Sequence, residues 1–132
     1  MFKRLALVLL LGLAGARLAA ANQVEIIKVM IEPYANRWTF HVTLKHHDTG
    51  WEHYADDWRI VDEKGHVLGE RQIWHPHVGE DLSTRTLASV LIPKGTYVIY
   101  IEAHDKVHGW SQQRVRIDMR KAKGDRYEIR TK

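Results

Sequence analysis

Tyr97-Val98-Ile99-Tyr100-Ile101-Glu102-Ala103-His104-Asp105 decides the fold. Tyr97, Ile99, Ile101 and Ala103 fall on one side of an extended chain, and Val98, Tyr100, Glu102 and His104 on the other. A period of two is the signature of a half-buried strand, because successive side chains point to opposite faces. The same period runs outward in both directions. Trp38, Phe40, Val42 and Leu44 alternate with Thr39, His41, Thr43 and Lys45. Val24 to Ile31 is an apolar first strand. Trp58 and Ile60 begin a third strand that stops at Glu63-Lys64-Gly65, and Val67 to Trp74 returns as a fourth. Leu82 to Ile92 is a fifth, closed by Pro93-Lys94-Gly95, and Val115, Ile117 and Met119 mark a seventh after the quoted sixth. No convincing 3.6-residue period interrupts them.

Seven short strands with turn signals between them predict an all-β fold, an immunoglobulin-like or fibronectin-like antiparallel β-sandwich of about seven strands. Trp58, early in the third strand, occupies the place where such sandwiches often bury a Trp. The sixth strand reads like the penultimate strand of bacterial domains of this kind. A fold of this kind hosts many functions, so the pattern says nothing of activity.

The ends add context. Lys3 and Arg4, the leucine-rich run Leu5 to Leu13, and the small residues Ala19-Ala20-Ala21 have the order of a secretory signal peptide. The expected organisation is a signal peptide over 1–21, the sandwich over 22–119 and a basic C-terminal tail over 120–132. The apolar run is well short of the ~20 residues that span a bilayer. The expected location is therefore periplasmic or secreted, with no integral membrane segment after cleavage. The whole chain carries a formal net charge of +4, but Lys3, Arg4 and Arg17 lie in the leader. The remainder holds 17 basic and 16 acidic side chains, so nucleic acid is not an expected partner. Residues 114–132 concentrate 8 basic against 3 acidic groups, which reads as a solvated end. Cysteine is absent, which removes disulfides, thiolate nucleophiles and soft thiolate metal sites.

The unusual residues are the nine histidines. If consecutive strands run antiparallel, the loops after strands two, four and six share one pole of the sandwich. His46, His47 and His53 belong to the first of these loops, His75 and His77 to the second, and His104 and His108 flank the third. His66 lies at the other pole and His41 faces outward in mid-strand. Imidazole and carboxylate are the usual ligands of Zn(II), Cu(II), Ni(II) and non-haem iron. In His75-Pro76-His77 an extended backbone points both rings to one side, and Pro76 stiffens the pair. The expected metal ligands are His53, His75, His77, His108 and His47, for a divalent transition metal, copper or zinc. Glu80 or Asp105 would serve as a carboxylate ligand or fix a histidine tautomer. His46, in phase with the core side of its strand, reads as a satisfied partner of Asp105. Solvated loop histidines and a chance His-x-His are the bland alternative. Trp51, Tyr54, Trp74 and Trp110 flank the same loops and suit either a satellite core or a ligand cleft. No catalytic residue is assigned: the serines lack a His–Asp partner at a helpful spacing.

Gly50-Trp51-Glu52-His53-Tyr54-Ala55-Asp56-Asp57-Trp58, with Leu68-Gly69, His75-Pro76-His77-Val78, Thr84-Arg85 and Ile92-Pro93, resembles a family of small exported bacterial proteins. That family carries Trp-x-His-Tyr-Ala-Asp and His-Pro-His-Val segments, and the resemblance covers about residues 36–119. It implies that His53, Tyr54, Asp56, His75 and His77 belong to the family pattern, and it implies no activity. The chain is also similar in plan to small periplasmic copper-binding sandwiches but lacks their Met-rich ligands. Met30 and Met119 sit in strands, which argues against a Cu(I) site of that kind. Two function classes follow: a metal-binding protein, or a non-catalytic interaction domain that takes a peptide, glycan or envelope protein on the same loops. A metal-dependent enzyme ranks below both.

Overall fold

In the computed structural model, which describes residues 23–131, the alternating segments become strands. The expected signal peptide lies outside the described residues. The strands are β1 (Glu25–Tyr34), β2 (Arg37–Lys45), β3 (Ala55–Asp62), β4 (Val67–Gln72), β5 (Leu82–Val90), β6 (Val98–Asp105), β7 (Gly109–Asp118), β8 (Lys123–Gly124) and β9 (Tyr127–Ile129). They form two sheets, ordered β5-β2-β1-β9-β8 and β4-β3-β6-β7. The all-β sandwich is as the period-two pattern predicts. Among the described residues there is no helix, and none long and apolar enough to cross a membrane.

The inward faces are the predicted ones. Phe40, Val42 and Leu44 of β2 meet Trp58 and Ile60 of β3 and Ile99, Ile101 and Ala103 of β6, all fully or nearly fully buried. β4 stays beside β3 because the turn between them is short and pinned. Asp62 Oδ1 accepts the Lys64 and His66 amides, each at 2.9 Å, which folds the chain straight back.

The C-terminus departs from the expected solvated tail. β9 adds to β1 in parallel, with Val29 opposite Tyr127 and Ile31 opposite Ile129. Tyr127 and Ile129 are buried, and the Tyr127 hydroxyl donates to the Asp118 carbonyl at 3.2 Å. The count of basic residues concealed this short alternation. The charges are themselves used: Arg126 donates to Glu25 at 2.9 Å and Arg130 to Glu32 at 2.6 Å, both acids of β1.

Candidate metal centre

β2 and β6 lie in opposite sheets and both end at the pole that the loops after β2, β4 and β6 share. Each keeps its inward phase for one more step. On β2 the next inward position after Leu44 is His46, and on β6 the next after Ala103 is Asp105. Both are buried, so a polar pair is carried down into the end of the hydrophobic core. A buried charge of this kind needs partners, and the neighbouring loop supplies them. His53 enters from a tight turn, in which the Thr49 amide donates to the His53 carbonyl at 3.0 Å and the His53 amide to the Gly50 carbonyl at 3.2 Å. Its Nε2 lies 3.2 Å from His46 Nε2 and 3.2 Å from Asp105 Oδ1.

One ligand atom from each of His46, His53 and Asp105 lies within 4.8 Å of the other two. This group can hold a metal ion. With metal–nitrogen bonds of about 2.0–2.1 Å, two ligands of a tetrahedral ion sit about 3.3 Å apart, close to the two separations that His53 makes here, 3.2 Å each. Asp48 fixes one donor. It accepts the His46 Nδ1 proton at 2.6 Å, which leaves the Nε2 lone pair turned toward His53. A carboxylate behind an imidazole is the support that metal-bound histidines generally have.

Asp48 also ties the loops together. Its Oδ1 accepts the Ala55 amide at 3.0 Å and its Oδ2 the His77 amide at 2.9 Å. Burial pushes its carboxyl up, but the bonds from the His46 ring and from the His77 and Ala55 amides outweigh burial and leave it below the usual value. Asp105 is held by the turn it begins. Its Oδ1 accepts the Val107 amide at 2.9 Å and the His108 amide at 2.8 Å, and the chain leaves through Gly109 at φ 77°, a backbone conformation glycine tolerates best. His108 Nδ1 reaches both Asp105 oxygens, at 3.1 and 3.2 Å, and its ring centre is 5.1 Å from that of His53.

The predicted ligands therefore separate. His53 is in the central group and His108 stands against it through Asp105. His47 is mostly exposed and contacts Asp81 Oδ1 at 3.1 Å. His75 and His77 do face each other, ring centres 5.1 Å apart, but in a second depression shared with Arg71, Trp74 and Arg85. His77 Nδ1 lies 3.3 Å from Glu80. His104 turns to the outer face, bonded to Asp56 at 2.5 Å and set edge-on to Trp110. His46, expected as a partner of Asp105, meets it by way of His53, and its own support is Asp48, which no spacing in the sequence marks. The aromatics divide too: Tyr54 is buried, whereas Trp51 and Trp74 are 66% and 70% exposed.

A cleft of about 720 Å³ opens beside His46 and His53, lined also by Lys45, His47, Thr49 and Gln112. One side of the group is therefore accessible from solvent.

Comparison with known proteins adds context for these residues. No family model matches the chain. A protein of Halomicrobium mukohataei named "Putative lipoprotein" is 31% identical over 98 residues, which is 74% of this chain and 48% of the relative. The chain thus spans about half the length of that relative. A solved superoxide reductase (neelaredoxin) from Ignicoccus hospitalis is 22% identical, with 78% of this chain and 84% of that one covered at a TM-score of 0.46. A likeness at that level bears on neither chemistry nor site.

Proposed function

We propose that this protein is an exported binder of a divalent transition metal, held by His46, His53 and Asp105 at one pole of the sandwich. The observation that supports the reading is the buried His46–Asp48 pair, which turns an imidazole nitrogen toward His53, itself in contact with Asp105. Two imidazoles and one carboxylate, with no sulfur, form a borderline donor set. Intrinsic affinity then favours Cu(II) or Zn(II) over earlier divalent metals. His108 contacts both Asp105 oxygens and so helps to orient that carboxylate. On this reading the His75–His77 pair and His47 are neighbours of the centre rather than its core. The signal-peptide pattern and the lipoprotein name of the Halomicrobium relative support export. Membership of the Trp-x-His-Tyr-Ala-Asp family is part of the same proposal.

The test is calorimetric titration of the mature chain, made without an affinity tag, with Cu(II) and Zn(II). His53→Ala is expected to remove most of the affinity, with circular dichroism unchanged. His75→Ala/His77→Ala is expected to retain most of it. Equal affinity in wild type and His53→Ala would reject the centre. Loss in the double variant alone would return it to the His-Pro-His loop. The exposed Trp51 and Trp74 favour the second reading, an interaction domain, and that reading prevails if no metal binds more tightly than to an unfolded histidine-rich peptide.

A further inference from the structure

The open edge of the sandwich, where β4 ends one sheet and β5 the other, carries a second site. We propose that Arg71 and Arg85 bind the phosphate group of a small phosphate ester there, with Trp74 against its organic part. The site is separate from His46, His53 and Asp105 and does not depend on a metal.

Phase puts the two arginines in one gap. Gly69 and Leu87 face inward on the two edge strands, so close that a side chain at Gly69 would strike Leu87. The next inward positions toward the histidine pole are Arg71 on β4 and Arg85 on β5. Arg71 Nε donates to the Thr86 carbonyl at 3.2 Å and its Nη1 to the Gln72 carbonyl at 2.5 Å. Arg85 Nη1 donates to the Thr84 carbonyl at 3.1 Å. Carbonyls fix both guanidiniums without neutralising them. Opposite Arg71 on β3 is Trp58, and opposite Arg85 on β2 is Val42. Glu70, beside Arg71, points to the other face of β4. Among the described residues neither arginine forms an ion pair with a carboxylate. Arginine stays charged, so two half-buried positive charges share the gap with most of their N–H donors unspent. The depression they line holds about 340 Å³, and no acidic residue lines it. Two acids touch its rim through His77: Asp48 accepts its amide at 2.9 Å, and Glu80 lies 3.3 Å from its ring. Asp48 is already bonded to the His46 ring, and the Glu80 side chain is 66% exposed. A guanidinium fork pairs with phosphate in two parallel bonds. A phosphate ester brings several acceptor oxygens and about two negative charges at neutral pH, which suits two adjacent guanidiniums better than one carboxylate does. Trp74 lines the same depression and is 70% exposed. A bare aromatic ring beside the charges favours a phosphate carried on an organic body over the free ion.

The experiment uses the mature chain, stripped of metal by dialysis against a chelator. Phenyl phosphate is titrated in at constant ionic strength and followed by NMR. Saturable shifts are expected at the amides of residues 71–75 and 84–86, around the depression. Arg71→Gln and Arg85→Gln should each weaken binding about tenfold, the scale of one charge-assisted hydrogen bond. Arg85 bonds only a carbonyl of its own strand, so its variant should keep the wild-type amide spectrum elsewhere. Lys94→Gln, at the opposite pole, and His53→Ala should bind as wild type does. Inorganic phosphate and acetate should both bind more weakly than phenyl phosphate, and Trp74→Ala should remove the advantage of the phenyl ring. No saturable shift, or equal affinity in wild type and Arg85→Gln, overturns the site. Loss of binding in His53→Ala overturns its separation from the histidine group. Inorganic phosphate that binds as tightly as phenyl phosphate overturns the ester, and acetate that does so overturns the preference for phosphate.

Discussion

Asp57→Asn is expected to make this protein more stable at neutral pH. Asp57 lies in β3 with its Oδ1 buried and without a hydrogen-bond partner. Gln72 is its register neighbour on β4 and Glu70 lies two residues along. Burial, a hydrogen bond with Glu70 and the charges of Glu70 and Asp56 push its carboxyl from 3.8 up to about 8. The sign follows from linkage. Below the unfolded value both states hold the proton and nothing is lost. As pH rises from there through about 8, the unfolded chain releases its proton while the folded chain keeps it, so stability falls. Taken at face value the displacement is worth about 6 kcal/mol, at ~1.36 kcal/mol per pH unit. Asp57 is partly exposed, so solvent screening reduces this to roughly 1–2 kcal/mol. Asparagine keeps the shape, donates to Glu70 and never ionises. Urea unfolding of both proteins from pH 4 to pH 8.5 is the assay. The two should agree near pH 4 and diverge in favour of asparagine as pH rises, with a melting temperature higher by ~4–8 °C for each kcal/mol. Parallel stability curves, or a less stable variant at pH 8, would refute the reasoning.

Three further outcomes are expected. Asp48→Ala should lower metal affinity about 10- to 100-fold, the usual effect of losing the carboxylate behind a metal-bound histidine; a chelator competition assay reads it. Gly124→Ala would drive a methyl group into the rigid Tyr127 ring and should cost ~1–3 kcal/mol, seen first as faster amide exchange in Tyr127–Ile129. Asp118 is held down at about 2 by its bonds to the Arg120 side chain and amide. Its contribution to stability is present above the ordinary value of 3.8 and fades as pH falls toward 2. Arg120→Ala should move the carboxyl back up, and NMR titration of Asp118 is the measurement.

The fold was legible because its signal is local. A two-sided strand must alternate, and β2 and β6 do so without a break. Trp58 was placed in the core from its strand position alone, and it is fully buried. The C-terminal strands were not legible for the converse reason. β9 is three residues long, too short to display a period, and its apolar Tyr127 and Ile129 stand among charges that read as solvated. What recruits them is the free edge of β1, a feature of the folded sheet that no window of sequence contains.

The centre of the site was hidden by a different ambiguity. The His-Pro-His loop stands out because proline makes its local geometry easy to argue, whereas the inward phase of His46 is what a satisfied core residue also shows. Phase was the informative clue. Two strands of opposite sheets, ending at the same pole, each place a polar residue at the next inward step: His46 after Leu44 and Asp105 after Ala103. Burial strips both of water, which is costly unless each finds partners; Asp48 serves His46 and the Val107 and His108 amides serve Asp105. His53 then lies between the two, brought there by the turn from Thr49 to His53. The same desolvation that makes the arrangement costly for the bare protein favours a cation bound among these donors. Metal binding should therefore raise stability along with occupancy, by ~2.7 kcal/mol at a free metal concentration 100 times Kd. A melting temperature that rises with Zn(II) in wild type and stays fixed in His53→Ala is the expected result. Equal shifts in both proteins would place the stabilising ion somewhere other than between β2 and β6.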